Sequence, residues 1–132
     1  FGVDVKVKVA SAHRSLDLVL EAVSDESVEV VIAFAGKAAH LAGVVAGATI
    51  KPVIGVPMYS KSTSGMDALL STVQMPKGVP VATVAIDGAE NAAYLAIQML
   101  ALKDDTLKEK LHHFKKQMVE DVKNMSDDLE WA

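Results

Sequence analysis

V-E-V-V-I-A-F-A, residues 28–35, is the stretch of sequence that decides the fold. Apart from one glutamate the run is apolar, and it ends at Gly36. A short, nearly continuous apolar run bounded by a glycine is typical of a strand that is buried on both faces, as in a parallel sheet. Residues 16–23 before the run and residues 38–46 after it read as helices. The run is therefore predicted to be an inner strand between two helices.

The same alternation of strand and helix continues along the chain. Strands are predicted at residues 3–9, 28–35, 52–56 and 79–86, and helices at residues 16–23, 38–46, 65–73, 89–102 and 104–124. This order predicts the α/β class, in three layers, with a parallel sheet covered by helices on both faces. We expect a single domain over residues 1–132, in which residues 1–103 form the core and residues 104–132 a C-terminal helical extension.

Composition and missing motifs exclude several classes of protein. The net charge is −4, and no basic stripe exists to neutralise phosphates, so a nucleic-acid partner is not expected. No apolar run reaches the roughly 18 residues that span a bilayer, so a membrane partner is not expected. The chain has no cysteine, which excludes disulfides and agrees with a cytoplasmic location. Dinucleotide-binding, P-loop and esterase motifs are absent.

Three polar residues lie where the first predicted strand ends and the first helix begins: Ser11, His13 and Arg14. Ligands of parallel α/β sheets bind outside the carboxyl ends of the strands, so this position is on the binding edge. A helix N-terminus and a guanidinium both favour a phosphate, and a histidine beside them can exchange a proton near neutral pH. The residues alone are also compatible with Ser11 as a helix N-cap, Arg14 as a surface charge and His13 as a polar loop residue.

A second candidate segment, A-G-K-A-A-H-L at residues 35–41, follows the apolar strand. Gly36 permits close approach of a ligand to the backbone, and His40 is predicted in the first turn of the next helix. The alternative is tight packing of helix against sheet with a buried, hydrogen-bonded histidine, an interpretation that suits Ala38 and Ala39 better than His40. His112 and His113 are adjacent on the charged helix, and both are predicted to be exposed to solvent. His13 and His40 lie on different loops without an acidic cluster nearby, and His112 and His113 point in different directions, so no metal is expected.

Four separate motifs occur in order: S-A-H-R at residues 11–14, A-G-K-A-A-H-L at 35–41, P-V-I-G-V-P at 52–57 and Q-M-P-K-G-V-P at 74–80. With these motifs the chain closely resembles the N5-carboxyaminoimidazole ribonucleotide mutase family of purine biosynthesis, over residues 3–102. The resemblance implies a flavodoxin-like α/β fold. It also implies an isomerase that moves a carboxylate from the exocyclic nitrogen of the substrate to ring carbon C4, without ATP, metal or organic cofactor.

The resemblance assigns a role to each candidate residue. His13 matches the histidine that serves as general acid and base. The remaining matches are to substrate-binding positions: Ser11 and Arg14 for the phosphate, Ala35 and Gly36 for the base and carboxylate, His40 and Leu41 for the border of the carboxylate. Lys37 stands where glycine is common in the family, and it either contacts a carboxylate or points to solvent. The family relation also implies a homo-oligomer, an octamer, with a contact near residues 73–81.

One departure from the family leaves other interpretations open. The family begins with a strand, a G-S-x-S-D turn and a helix before the position of Phe1, and that strand lies inside a sheet of order 2-1-3-4-5. We expect the natural protein to carry this segment and the present chain to be a fragment. One alternative is therefore a non-catalytic nucleotide-binding or assembly subunit. Another is direct carboxylation of aminoimidazole ribonucleotide with carbon dioxide.

Overall fold

The computed structural model describes residues 1–127. Within this range the regular elements are α1 (Leu16–Ser24), β1 (Val31–Gly36), α2 (Leu41–Ala48), β2 (Val53–Met58), α3 (Met66–Val73), β3 (Ala82–Thr83), α4 (Ala89–Leu100) and α5 (Asp105–Asp127). The predicted helices are all present, with ends that differ by a few residues. The alternation of helix and strand confirms the α/β class.

The sheet has three parallel strands in the order β1-β2-β3. Val31 pairs with Val53 in the register of the first two strands, and Ile54 pairs with Ala82 in that of the second and third. Strand β3 is much shorter than the predicted residues 79–86, because residues 76–79 form a turn and Pro80 has no N–H to donate. Helices α1, α2 and α3 pack with this sheet, as the alternation predicts.

Strand β2 is the most buried element of the sheet, with residues 53–57 all buried. The predicted strand ended at residue 56, before Pro57, and that boundary was wrong because β2 runs to Met58. Pro57 lacks an N–H, but its carbonyl accepts a hydrogen bond from the Asp87 backbone N–H at 2.9 Å. The chain therefore continues through Pro57 with only one donor lost.

Small side chains allow the helices to approach the sheet closely. The main buried cluster joins α1 and α2 to β1 and β2, and its members are Val19, Val23, Ala33, Ala42, Val45 and Val53. At Gly55 a side chain has no room, since an added Cβ would overlap the Thr72 methyl and lie 2.9 Å from Val81 Cγ1. Helix α3 therefore packs directly against the backbone of β2.

The first predicted strand is not formed, so that prediction was wrong. Residues 3–9 form no regular secondary structure, and the side chains of Val5, Val7 and Val9 are 77%, 88% and 91% exposed. A strand needs a hydrogen-bonded neighbour, and no residue in the range 1–127 pairs with this segment. A groove of about 740 Å³ instead separates residues 6–10 from β1.

The described chain divides into two compact units. The larger unit is Asp4–Ala96, which contains the sheet and α1 to α3. The smaller unit combines residues 1–3 with the described residues from Ile97 onward, and in it the rings of Phe1 and Phe114 meet edge to face at 6.1 Å. None of the helices within residues 1–127 has the length and apolar character needed to cross a membrane.

Candidate active site

The first turn of the candidate site, residues 11–15, is held together by its own side chains. The Ser15 N–H donates to the Ser11 carbonyl at 2.9 Å, and the Ser11 N–H donates to Ser15 Oγ at 2.8 Å. Ser15, and not Ser11, is the N-cap of α1, so the reading of Ser11 as an N-cap was wrong. The Ser11 hydroxyl faces Arg14 instead and accepts from its backbone N–H at 3.3 Å and from its Nε at 3.4 Å.

The second turn, residues 36–40, follows β1 and leads into α2. Lys37 has a φ of 57°, a left-handed conformation that is uncommon for a residue with a side chain. His40 is the N-cap of α2 and not part of its first turn as predicted, and its side chain makes no capping hydrogen bond. Its backbone N–H donates to the Ala38 carbonyl at 2.9 Å. The imidazole of His40 therefore takes no part in capping α2.

The structure brings the two candidate histidines into direct contact. His13 Nε2 and His40 Nδ1 are 2.9 Å apart, which is hydrogen-bonding distance. The rings lie edge to face, with centroids 5.0 Å apart and planes inclined at 80°. Both side chains are exposed, so His40 is not the buried histidine of the packing interpretation. The first turn and the second turn thus form one site, although the sequence separates the histidines by 27 residues.

Helix α3 holds the backbone of the second turn through a hydrogen bond. The Ala39 N–H donates to Ser71 Oγ at 3.1 Å, and the Ser71 hydroxyl donates back to the Asp67 carbonyl of its own helix at 2.7 Å. Thr72 is buried, and its hydroxyl donates to the Ala68 carbonyl at 2.7 Å. Neither Ser71 nor Thr72 was among the residues predicted for the site. Two adjacent hydroxyl residues inside an otherwise apolar helical segment were the available signal.

A third segment, residues 59–67, lies at the carboxyl end of β2. The Tyr59 N–H donates to Asp87 Oδ1 at 2.8 Å, and Asp87 has a φ of 56°. The pKa of Asp67 lies below its usual value of 3.8, chiefly because the Thr63 hydroxyl donates to the carboxylate, while desolvation opposes the shift. The positive charge of Lys37 also lowers this pKa. Lys37 therefore acts electrostatically on this segment as well as standing in the second turn.

All eight predicted site residues lie in the larger unit, within the first turn, the second turn or the adjoining residues. Five of them are exposed, namely His13, Arg14, Gly36, Lys37 and His40, and three are partly buried, namely Ser11, Ala35 and Leu41. Their individual roles stay predictions. In the described part of the chain, no group of three or more histidine or acidic side chains is arranged to hold a metal ion.

Comparison with known proteins gives a consistent result. A family model described as AIR carboxylase matches residues 1–121. A protein of Methanocaldococcus jannaschii named N5-carboxyaminoimidazole ribonucleotide mutase is 56% identical over 122 residues, which cover 92% of this chain and 77% of the relative. A protein of the same name from Saccharolobus solfataricus is 51% identical over 125 residues, covering 92% and 79%.

A plant protein adds a second name to the comparison. The chloroplastic phosphoribosylaminoimidazole carboxylase of Vigna aconitifolia is 44% identical over 133 residues. The match covers 98% of this chain but only 24% of the plant protein.

Proposed function

This chain belongs to the AIR carboxylase family, and we propose that it is an N5-carboxyaminoimidazole ribonucleotide mutase of purine biosynthesis. The enzyme moves the carboxylate from exocyclic N5 to ring C4 and yields 4-carboxy-5-aminoimidazole ribonucleotide. The observation that carries the proposal is the meeting of His13 and His40 at 2.9 Å, beside Arg14, in a chain 56% identical to a named mutase.

The reaction needs one group that both gives and takes a proton, and His13 is suited to this role. As the bond between N5 and the carboxyl carbon breaks, N5 gains a proton from the His13 imidazolium and carbon dioxide is released in the site. C4 then forms a bond to that carbon dioxide, and the C4 proton returns to His13. No net proton is consumed. Holding the two reactants side by side supplies a high effective molarity.

The first turn provides the features of a phosphate site. The Arg14 guanidinium can grip phosphate oxygens with two hydrogen bonds, and its Nε lies against the Ser11 hydroxyl. That contact restricts the orientation of the guanidinium before ligand binds. The N-terminal end of α1 adds a partial positive charge at the same place.

The second turn provides backbone that a planar base can approach. An added Cβ at Gly36 would lie 3.5 Å from Met58 Cβ, an ordinary contact, so the fold itself has room for a side chain there. We expect Gly36→Ala to leave the thermal midpoint unchanged while raising the KM, because the methyl group would occupy the space of the ligand. A drop in stability with an unchanged KM would contradict the ligand-lining role of Gly36.

A turnover assay tests the proposed function. Freshly prepared carbamate substrate is supplied without ATP or metal, and the C4-carboxylated product is followed by its ultraviolet absorbance. We expect turnover in the wild-type chain and a loss of at least about 100-fold in His13→Asn, since general acid–base groups contribute roughly 10²–10⁴. The control is His112→Asn, an exposed substitution on α5, which should not change the rate.

The outcomes of this assay separate the classes of function. Equal turnover in wild type and His13→Asn would contradict the role of His13. Absence of turnover in a folded wild-type chain that still binds the product would instead favour a nucleotide-binding or assembly subunit.

Direct carboxylation is the second candidate, because the plant relative carries the name of a carboxylase. It would take aminoimidazole ribonucleotide and carbon dioxide as substrates. Supplying bicarbonate with aminoimidazole ribonucleotide distinguishes the two reactions. The mutase proposal predicts turnover with the carbamate at far lower concentrations than this mixture requires.

Assembly and location complete the proposal. We expect a homo-octamer in the cytoplasm, with a contact near residues 73–81. The support is a row of half-exposed apolar side chains along α3, namely Met66, Leu70 and Val73, a pattern that favours burial in an interface. Light scattering coupled to gel filtration measures the mass, and a monomer at micromolar concentration would contradict the expectation.

A further inference from the structure

The contact between His13 Nε2 and His40 Nδ1 determines which ring nitrogens are available for chemistry. A hydrogen bond between two imidazoles needs one N–H and one bare nitrogen, so the rings share a single proton at this contact. If both rings were charged, both nitrogens would carry a proton and the bond could not form. The intact pair therefore holds at most one imidazolium.

The proton transfer indicates which ring accepts. When His13 is ready to give a proton, both of its ring nitrogens are protonated, and the contact with His40 Nδ1 then holds only if that nitrogen is bare. A neutral His40 with a bare Nδ1 can accept from His13 in either charge state of His13. The shared proton then belongs to His13 Nε2. The other ring nitrogen of His13, Nδ1, is the one that remains for a ligand.

We propose that His40 is a positioning residue that holds His13 in the tautomer protonated at Nε2, so that Nδ1 of His13 exchanges the proton with substrate. This inference rests on the proposed function for its chemical meaning. It assigns the reacting atom of His13 and gives His40 a role that does not require contact with the substrate.

The proton balance of the mutase reaction fits this assignment. The imidazolium of His13 carries protons on both nitrogens, and the proton on Nδ1 passes to N5 as the bond between N5 and carbon breaks. After C4 has bonded to carbon dioxide, the bare Nδ1 removes the C4 proton. The proton on Nε2 remains in its bond to His40 throughout, so the ring does not rotate between the two transfers.

Kinetics of three variants test the positioning role. His40→Ala removes the acceptor, and we expect kcat to fall roughly 10- to 100-fold with KM nearly unchanged, by analogy with functional histidines that lose the partner bonded to their other ring nitrogen. His40→Asn places Oδ1 near the position of Nδ1 and should restore most of the loss. His40→Gln places its carbonyl one bond further out and should not. A rise in KM that Asn does not rescue would overturn the proposal, because it would indicate direct contact with substrate.

Nuclear magnetic resonance tests the same inference without substrate. The chain has 4 histidines, so long-range ¹H–¹⁵N spectra can be assigned by single substitutions. We expect His13 in the wild type to show a protonated Nε2 and a bare Nδ1, and to become a mixture of tautomers in His40→Ala. His112→Asn should leave these signals unchanged. A bare Nε2 in the wild type, or no response to His40→Ala, would overturn the proposal.

The two experiments separate this inference from the proposed function. The expected tautomer in a wild-type chain without turnover would contradict the mutase and leave the positioning intact. Turnover in a chain whose His13 signals are unchanged by His40→Ala would support the mutase function and contradict the positioning role of His40. His40 is exposed, so these substitutions leave the buried core untouched.

Discussion

The first turn and the second turn present the two histidines of the site, and they are held in different ways. In the first turn, Ser15 bonds to both the N–H and the carbonyl of Ser11, so the support lies within five consecutive residues. In the second turn, the Ala39 N–H is held by Ser71, which lies 32 residues further along the chain. Local support is visible in a short stretch of sequence, whereas support from another helix depends on tertiary packing.

The largest expected effect comes from displacing the helix that supports the second turn. Gly55→Ala adds a Cβ where the Thr72 methyl and Val81 already lie, so we expect a loss of about 1–3 kcal/mol in the free energy of unfolding from overpacking. Gly47→Ala is the matched control, since nothing lies within 4 Å of its added Cβ. In the helix α2 it should stabilise by about 0.5–1 kcal/mol. Urea unfolding measures both, and equal effects would contradict the packing of α3 on β2.

Removing the support of the second turn directly should cost less. Ser71→Ala leaves the part-buried Ala39 N–H without its hydroxyl acceptor, and we expect a loss of about 1 kcal/mol in stability. The His13 to His40 contact should also loosen, because His40 is the next residue in the chain. Unfolding curves and hydrogen exchange of the Ala39 amide measure the two consequences. An amide protected equally in wild type and variant would show that Ser71 does not hold the turn.

The first turn offers the corresponding test on the local side of the comparison. Ser15→Ala removes the acceptor of the Ser11 N–H, and we expect a loss of about 0.5–1.5 kcal/mol in stability. Ser24→Ala is the control, since its hydroxyl bonds only to an exposed carbonyl at the end of the same helix. That substitution should be nearly neutral. If both variants unfold alike, the hydroxyl of Ser15 is not what holds the first turn.

The smallest expected effect is a dependence of stability on acid. Asp25 and Asp67 have pKa values below the usual 3.8, Asp25 chiefly through its hydrogen bond with Lys6 and Asp67 through Thr63. The folded state thus binds fewer protons than the unfolded state, so this stability is present above about pH 4 and is lost as pH falls through the lowered pKa values. Asp67→Asn should make the fall between neutral pH and about pH 3 shallower. An unchanged slope would contradict the role of the Thr63 bond.

Much of the fold could be predicted because its signals are local. The apolar run before Gly36 and the helical spacing of residues 65–73 predicted β1 and α3 with ends correct to a few residues. The prediction of a strand at residues 3–9 was wrong for a physical reason. Alternation of apolar and polar residues makes a segment suitable for a sheet, but a strand also requires a neighbouring strand to pair with. Similarly, the strand was predicted to end at residue 56, whereas β2 runs through Pro57 to Met58, and the Pro57 carbonyl accepts a hydrogen bond from the Asp87 N–H.

The candidate site was predictable residue by residue but not as an arrangement. The position of His13 after a predicted strand and of His40 after β1 indicated a binding edge, and the resemblance assigned their chemistry. Their hydrogen bond depends on the relative placement of α1 and α2, which no spacing along the sequence encodes. The role of Ser71 was not predicted for the same reason, since its hydrogen-bond partner Ala39 lies on a different element.

The central claim is that one site moves a carboxylate from N5 to C4 of the same nucleotide. The most direct measurement supplies carbamate substrate labelled with ¹³C at the carboxylate, in a solution of unlabelled bicarbonate, and reads the label in the product by ¹³C spectroscopy. Our account predicts that the C4-carboxylate retains most of the label, because the released carbon dioxide is captured before it escapes. A product with the isotopic composition of the solution would contradict it and would assign the chain to direct carboxylation.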